Sequence, residues 1–460
     1  MTEKFNQTAI DKFQKDFGGD ILLPEDPSYD QARKVFNTII ERRPAVIARC
    51  SGQDDVVRAI HFARDHDLEI AVRAGGHSVA GWGLSEGGIV IDLRRMNGVE
   101  VDPNARTARV AGGATWKDLD QAGHSYGLAT TGGTSPSTGV GGVTLGGGWG
   151  YLARKYGLGC DNLLAVKLVT AEGKTVVASE EEHPELFWAL HGGGGNFGIA
   201  TELTFQMHPV PAATIAYLAY SPDAGPRVID RLCDVMEKGP DELCVELVYM
   251  TGPSEDFVPS HLVNQLCLMM IIFYAGPEAE AEKVIKPFLE IGPGGKMIAE
   301  MSYLDIQAMG DIGSGFRHHS SSEHLTDLPG AAIDKFCARA HDMMVPSDWL
   351  LTLSTWGGQI ARRAADWPLA DRDKNWHIYP FFMWTDPGSD RQVFDWIKGL
   401  RADLAPYVTG SPYLNLVAGE GRVRMIAGYG GEVSYRRLAG VKSEYDPHNL
   451  FRNNHNIIPE

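Results

Sequence analysis

Apolar positions along the chain follow two rhythms. From Ser51 to Asp67 a capping serine and an acidic first turn precede VVRAIHFAR, whose apolar residues recur at helical spacing and predict a helix. Phe5 to Phe17 and Thr115 to Ser125 show the same period. Short apolar runs at Ala45–Ala48, Glu69–Arg73, Ile89–Leu93 and Ala108–Ala111 predict strands, so strand, helix and strand open an α/β unit. LLAVKLVTAEGKTVVAS reads as two strands joined at Glu172-Gly173, and ELFWALHGGGGNFGIATELTF as helix, glycine loop and strand. Beyond Pro209–Pro211 the glycine clusters cease. Thr214–Tyr220, Leu243–Met250 and Leu266–Tyr274 predict strands separated by helices such as Pro226–Glu237, in a region that ends near Tyr407. The last fifty residues return to helix and turn signals.

At 460 residues the chain exceeds the size at which one core stops growing, so two domains are expected. Forty-two basic against 59 acidic side chains leave a formal charge of -17, which argues against a nucleic-acid partner. The start carries no basic segment followed by an apolar run, and no stretch reaches the ~18 apolar residues of a membrane span; a cytoplasmic protein with no membrane partner is expected. The six cysteines (50, 160, 233, 244, 267 and 337) show no CxxC spacing, which gives little support to a zinc site or a disulfide framework.

The stretch Ala129–Asn162, ATTGGTSPSTGVGGVTLGGGWGYLARKYGLGCDN, is dense in glycine, irregularly spaced and flanked by apolar residues. Without Cβ atoms such a chain brings successive N–H groups against a ligand, as in phosphate and flat-ring sites. A glycine-rich series of turns with no ligand is the plainer alternative.

Five motifs in order carry a resemblance: RAGGHSVAGWG, VIDLRRMNGV, GGVTLGGGWGYLARKYGLGCDNLLAV, ELFWALHGGGGNFGIATELTF and YDPHNLFRNNHNI. The chain resembles flavoproteins of the vanillyl-alcohol oxidase superfamily, specifically the berberine bridge enzyme-like group, closely over Pro44–Val210 and in the tail, and in general layout between. The resemblance implies an α+β fold: a two-part PCMH-type FAD-binding domain, residues 1–210 plus a returning segment 412–460, with an inserted α/β substrate domain, 211–411, on an antiparallel sheet.

It also implies FAD attached covalently at two points, His77 in RAGGHS and Cys160 in GLGCDN. Taken alone, the histidine reads as a turn residue and the cysteine as a small hydrophobe. Arg73, Gly75, Gly76 and Ser78, with Gly139, Gly141 and Gly142, are candidates for holding the cofactor, their amides cradling its pyrophosphate. Gly198 and Ile199 resemble the adenine-side strand, and Asn449 and Asn453 tail residues near the flavin, although each asparagine is also a turn former.

Catalysis in this group moves a hydride from a substrate carbon to flavin N5 while a base takes the hydroxyl proton. Tyr413 in SPYLN resembles the family's YxN tyrosine and is the candidate base; VAGEG follows where relatives carry an aspartate, so its partner is open. In NWHIYPFFMW, period-two alternation puts His377, Tyr379 and Phe381 on one strand face, and Tyr379 joins the catalytic candidates if that face lines the pocket. RHHSSSEH (Arg317–His324) reads as a polar loop rather than a metal site. Aromatic residues in the middle region, Tyr303, Trp356, Trp376, Tyr379 and Trp384, suit a small-molecule alcohol, either an oligosaccharide lactol or a secondary metabolite. Leu163, three after Cys160, matches a position over the flavin where a valine-like residue accompanies oxidases and leucine can exclude oxygen; an oxidase producing hydrogen peroxide is expected, with another acceptor as the alternative. A nicotinamide-dependent dehydrogenase lacks its GxGxxG after the first strand, and a non-catalytic flavin-binding protein is not excluded by fold.

Overall fold

The computed structural model describes residues 5–460. Four short strands, β1 (Asp20–Leu22), β2 (Val46–Arg49), β3 (Ile70–Arg73) and β4 (Ile89–Asp92), form one sheet in the order β1-β2-β4-β3, with β4 parallel to both β2 and β3. The crossover from β2 to β3 is the helix Gln53–Asp65, whose buried Val56, Ala59, Ile60 and Ala63 recur at the helical period that predicted it. A second, antiparallel sheet takes β5 (Val99–Asp102), β6 (Thr107–Ala111), β8 (Leu163–Val169), β9 (Thr175–Ser179) and β10 (Ile199–Gln206) in the order β5-β6-β10-β8-β9. Two-residue strands β7 (Leu128–Ala129) and β11 (His208–Pro209) pair with each other as a separate two-stranded sheet, where the composition changes.

The middle of the chain builds one eight-stranded sheet from β12 (Ala213–Tyr220), β13 (Leu243–Thr251), β14 (Leu266–Tyr274), β15 (Gly295–Met301), β16 (Arg317–Ser320), β17 (Glu323–Leu325), β18 (Asp348–Thr355) and β19 (Trp376–Trp384). Every pair in it is antiparallel. RHHSSSEH therefore does not form the polar loop expected: it supplies β16 and β17, both hydrogen-bonded to β19, with His318 and His324 buried. Among the described residues no cluster of histidine, cysteine or acidic side chains could hold a metal.

One face of this sheet is covered by the helices Gly225–Met236, Glu278–Leu289, Gly330–His341 and Asp390–Leu404. The other packs on the glycine-rich loops: Phe273 stacks on Tyr151 at 5.3 Å, and Arg154 donates to the carbonyls of Leu243 and Trp356. The tail returns through the helix Glu432–Tyr445, whose fully buried Lys442 donates to Asp446, to Asn196 O at 2.7 Å and to Phe451 O at 2.9 Å. Asn453 then donates to Trp82 O and Leu84 O, both at 3.0 Å, which ties the last residues to the loop that follows His77. Among the described residues no helix is long and apolar enough to cross a membrane.

Candidate functional site

Two loops meet backbone to backbone. A Cβ on Gly75 would lie 2.2 Å from the Gly139 nitrogen, and one on Gly139 2.4 Å from the Gly75 nitrogen, so only glycines permit the approach of the RAGGHS loop to the helix Val140–Leu145. Gly141 and Gly142 stand in the first turn of that helix, whose amides have no intrahelical acceptor. Further along, Gly147 and Gly148 take φ of 127° and 90°, and their carbonyls receive the amides of Cys160 at 2.8 Å and Gly159 at 2.7 Å. The same bend turns the Gly148 and Trp149 N–H groups onto the Tyr413 hydroxyl, at 2.7 and 3.2 Å.

These loops meet the demands of a flat polar cofactor. Several buried polar atoms among them have no partner in the protein: the hydroxyls of Thr130, Thr131 and Thr144, the indole nitrogens of Trp82 and Trp149, and Arg73 Nε. Polar groups buried without partners are rare, and a clustered set beside glycine loops marks a place where a ligand supplies the missing bonds.

Chains of contacts link His77 and Cys160 to one face of β19. His77 stacks on Phe36 at 4.6 Å and 15°, and Phe36 in turn meets Phe381 of β19 at 6.4 Å. Four residues back along β19, His377 meets the Tyr413 ring at 6.2 Å, and the Tyr413 hydroxyl sits on the Gly148 amide beside the Cys160 turn. His377, Tyr379 and Phe381 thus face the glycine loops together, as their alternation predicts. Burial pushes His77 down to about 4, which leaves a neutral imidazole with a free lone pair. Cys160 is fully buried; burial raises its thiol and Asp161 raises it further, against the lowering influence of Arg372 and Arg363.

The other sequence candidates divide. Arg73 donates two guanidinium nitrogens to the carbonyls of Ala32 and Lys34, so it shapes the loop leading to Phe36 and leaves Nε toward Gly76. Ser78 accepts from the Trp82 amide at 3.3 Å within the same loop. Gly198 and Ile199 pack on β8, where Ile199 opposes Val169 and is 1% exposed. Asn449 has a φ of 51°, the turn-forming alternative, and its buried Oδ1 is unpartnered. Leu163 begins β8, donates its amide to Cys160 O and lines a cavity of about 350 Å³ with Tyr156, Phe187, His208 and Trp367.

Tyr413 has the donors it needs: besides two backbone amides, Asn415 Nδ2 approaches its hydroxyl at 3.1 Å. Burial still outweighs them and pushes the phenol up to about 12. Ser322 Oγ accepts the Tyr413 amide at 2.8 Å and lies 2.8 Å from His377 Nε2. Burial holds His377 neutral, and its Nδ1 is buried with no partner.

Sequence reasoning missed three participants. Asp161 and Arg372 form a fully buried bidentate pair, Nη1 to Oδ1 at 2.9 Å and Nη2 to Oδ2 at 2.6 Å, reinforced by Trp367 Nε1 at 2.8 Å and the Leu158 amide at 2.7 Å. Arg372 is 211 positions away in sequence, so no local signal announces it. Replacing Arg372 with Met strands a buried carboxylate beside Cys160; denaturant unfolding should register a loss of about 3–5 kcal/mol, and adding Asp161→Asn should recover much of it. The third is Glu246 on β13, which accepts from the Tyr379 hydroxyl at 2.6 Å. Its one signal is an acid inside the otherwise apolar LCVELVYM.

A mixed four-stranded unit, an antiparallel five-stranded sheet and a tail that returns to them, closed by an eight-stranded sheet over glycine loops, define a flavin-binding oxidoreductase. Comparison with known proteins agrees: an FAD binding domain model matches residues 44–179, and a berberine and berberine-like model matches 413–458. (R)-6-hydroxynicotine oxidase of Paenarthrobacter nicotinovorans is 30% identical, the alignment covering 96% of this chain and 97% of the relative. The crystal structure of 6-hydroxy-D-nicotine oxidase from Arthrobacter nicotinovorans superposes with a TM-score of 0.85 at 29% identity, over 96% of this chain and 98% of that one. A chitooligosaccharide oxidase shares the fold, with a TM-score of 0.84 at 23% identity over 98% of this chain and 99% of its own. The chain belongs to the berberine bridge enzyme-like family of FAD-linked oxidoreductases.

Proposed function

We propose that this protein holds FAD through covalent bonds to both His77 and Cys160 and oxidises the carbinol carbon of a small-molecule alcohol, with Tyr413 taking the hydroxyl proton. The observation that carries the reading is the continuity of one strand face, His377, Tyr379 and Phe381, from the His77 stack to the Tyr413–Gly148 contact beside Cys160. His77 and Cys160 would hold the cofactor from the two loops that border this face, and Tyr413 would take the proton from a substrate bound beside it. Bound FAD supplies a two-electron acceptor for the carbon–hydrogen bond. The chain does the rest. The Gly148 and Trp149 amides and Asn415 stabilise the phenolate form of Tyr413, the form that takes the hydroxyl proton, Tyr379 fixes Glu246, and the aromatic residues exclude water. We divide the chain accordingly into 1–210 and 412–460 around the cofactor and 211–411 over the substrate.

Oxygen is the proposed acceptor, giving hydrogen peroxide, with Leu163 controlling its access by bulk; a dehydrogenase using another acceptor is the second reading, favoured by the branched leucine itself. Stopped-flow mixing of the reduced holoprotein with oxygen separates them. Slow reoxidation that Leu163→Val accelerates at least tenfold supports the gate and the dehydrogenase reading. Rapid reoxidation unchanged by the valine removes the gate and leaves the oxidase. The alcohol itself is sought with a panel of sugars and polyphenolic alcohols scored by anaerobic loss of the flavin band; bleaching by amines alone overturns the alcohol reading. Names of relatives point both ways, since one is called a hydroxynicotine oxidase and another a chitooligosaccharide oxidase.

A further inference from the structure

We propose that Glu246 is a cation-binding subsite, so that the molecule oxidised carries a protonated or quaternary nitrogen held by this carboxylate within a wall of tyrosine rings. The inference rests on the reading that substrate lies against the loop-facing side of the eight-stranded sheet; it adds a handle to the substrate and leaves the oxidised carbon as proposed.

The sheet register brings the parts together. Met297, Tyr217, Ile271, Glu246, Ser354 and His377 oppose one another in turn across β15, β12, β14, β13, β18 and β19, so they form one row on one face. The ends of the row, Met297 and His377, are apolar and neutral, and Glu246 is its single acid. Tyr379 stands beside that row, opposite Thr352. The Tyr379 hydroxyl donates to Glu246 Oε1 at 2.6 Å. No other hydrogen bond reaches the Glu246 carboxylate among the described residues, and no basic side chain pairs with it. Arg154, the basic group that acts on the neighbouring Cys244, is committed to the carbonyls of Leu243 and Trp356.

A carboxylate withdrawn from water with one hydrogen bond and no counter-ion is costly to keep. Here burial pushes Glu246 up to about 7, against the lowering influence of Tyr379. An arriving ammonium removes that cost, because it supplies the missing opposite charge in a place of low dielectric. The walls suit the same ligand. Tyr151 and Tyr217 both lie close enough to feel the Glu246 charge, Tyr217 and Tyr379 are half-buried, and Trp149 meets Tyr379 edge to face at 6.3 Å. Ring faces attract a cation most strongly where water is excluded. The groups facing Glu246, namely Tyr151, Tyr217, Tyr379 and Cys244, are all raised and stay neutral near pH 7, so the carboxyl alone changes charge there.

Isothermal titration of the holoprotein with 3-(trimethylammonio)phenol and its neutral isostere 3-tert-butylphenol tests this directly. The cation should bind at least ~10-fold tighter than the isostere. That advantage should grow between pH 6 and pH 8, as a group titrating at about 7 ionises. Glu246→Gln should abolish the preference while leaving the neutral phenol within twofold. Should that variant fail to fold, Tyr217→Leu, which removes a wall and no charge, should cut the preference several-fold. Equal binding of the two phenols, no binding of either, or a preference that survives Glu246→Gln each overturns the proposal. Cellobiose binding that needs Glu246 while the cation shows no advantage overturns it too, in favour of a hydroxyl-donor subsite. Flavin retention and alcohol-driven bleaching are scored on the same preparation, so the cation subsite can fail while the oxidoreductase reading stands.

Discussion

The double variant His77→Ala/Cys160→Ala releases all of its flavin when the chain is denatured, whereas each single variant keeps one covalent attachment and stays coloured. The expectation follows from two unlike environments linked to one strand face. At neutral pH His77 presents an uncharged imidazole, brought to about 4 by burial and stacked on Phe36 at 4.6 Å, so its lone pair is available and its ring is held. Cys160 begins from the opposite position: burial raises its thiol and Asp161 adds to the rise, against the lowering influence of Arg372, Arg363 and a backbone hydrogen bond. The histidine bond should therefore form readily in Cys160→Ala. The cysteine bond, formed alone in His77→Ala, should form more slowly, which a time course of flavin addition resolves. Mass spectrometry of the denatured chains reads both. Loss of all covalent flavin in one single variant assigns the attachment to that residue alone and removes the second.

Tyr413→Phe should lower the rate of anaerobic bleaching by alcohol by roughly 10²–10⁴-fold while leaving flavin content unchanged. The hydroxyl it removes accepts from Gly148 N at 2.7 Å, Trp149 N at 3.2 Å and Asn415 Nδ2 at 3.1 Å, a set of donors that favours the phenolate over the neutral phenol. Because the phenol stands at about 12 before substrate arrives, the base form is scarce at neutral pH, and the wild-type rate should climb with pH through the alkaline range. Phenylalanine abolishes that slope. A variant that bleaches at the wild-type rate shows Tyr413 to be a packing residue, and the proton must then leave by another group.

Much of this arrangement is written locally. Helical and alternating periods in the first 210 residues mark the elements found there, because a helix such as Gln53–Asp65 buries one stripe and a strand such as β10 one face. The alternation in WHIYPFFMW predicts the shared face of His377, Tyr379 and Phe381, since a pleated strand permits no other distribution. RHHSSSEH misled: its polar composition suggests a loop, yet hydrogen bonds to β19 hold it as β16 and β17, and tertiary pairing outweighs local preference. Asp161 with Arg372, and Glu246 with Tyr379, were illegible for a different reason. Each pair joins residues far apart in sequence, and nothing at either position specifies its partner until the sheet register is set.

The most direct test of an FAD-linked alcohol oxidoreductase joins two observations on one wild-type sample. The protein is mixed anaerobically with the alcohol panel, its visible flavin band is followed, and it is then precipitated with acid and inspected for retained colour. The account predicts that at least one alcohol bleaches the band and that the colour stays with the precipitated chain. A band that no alcohol bleaches, or a flavin that washes away from the precipitate, contradicts it.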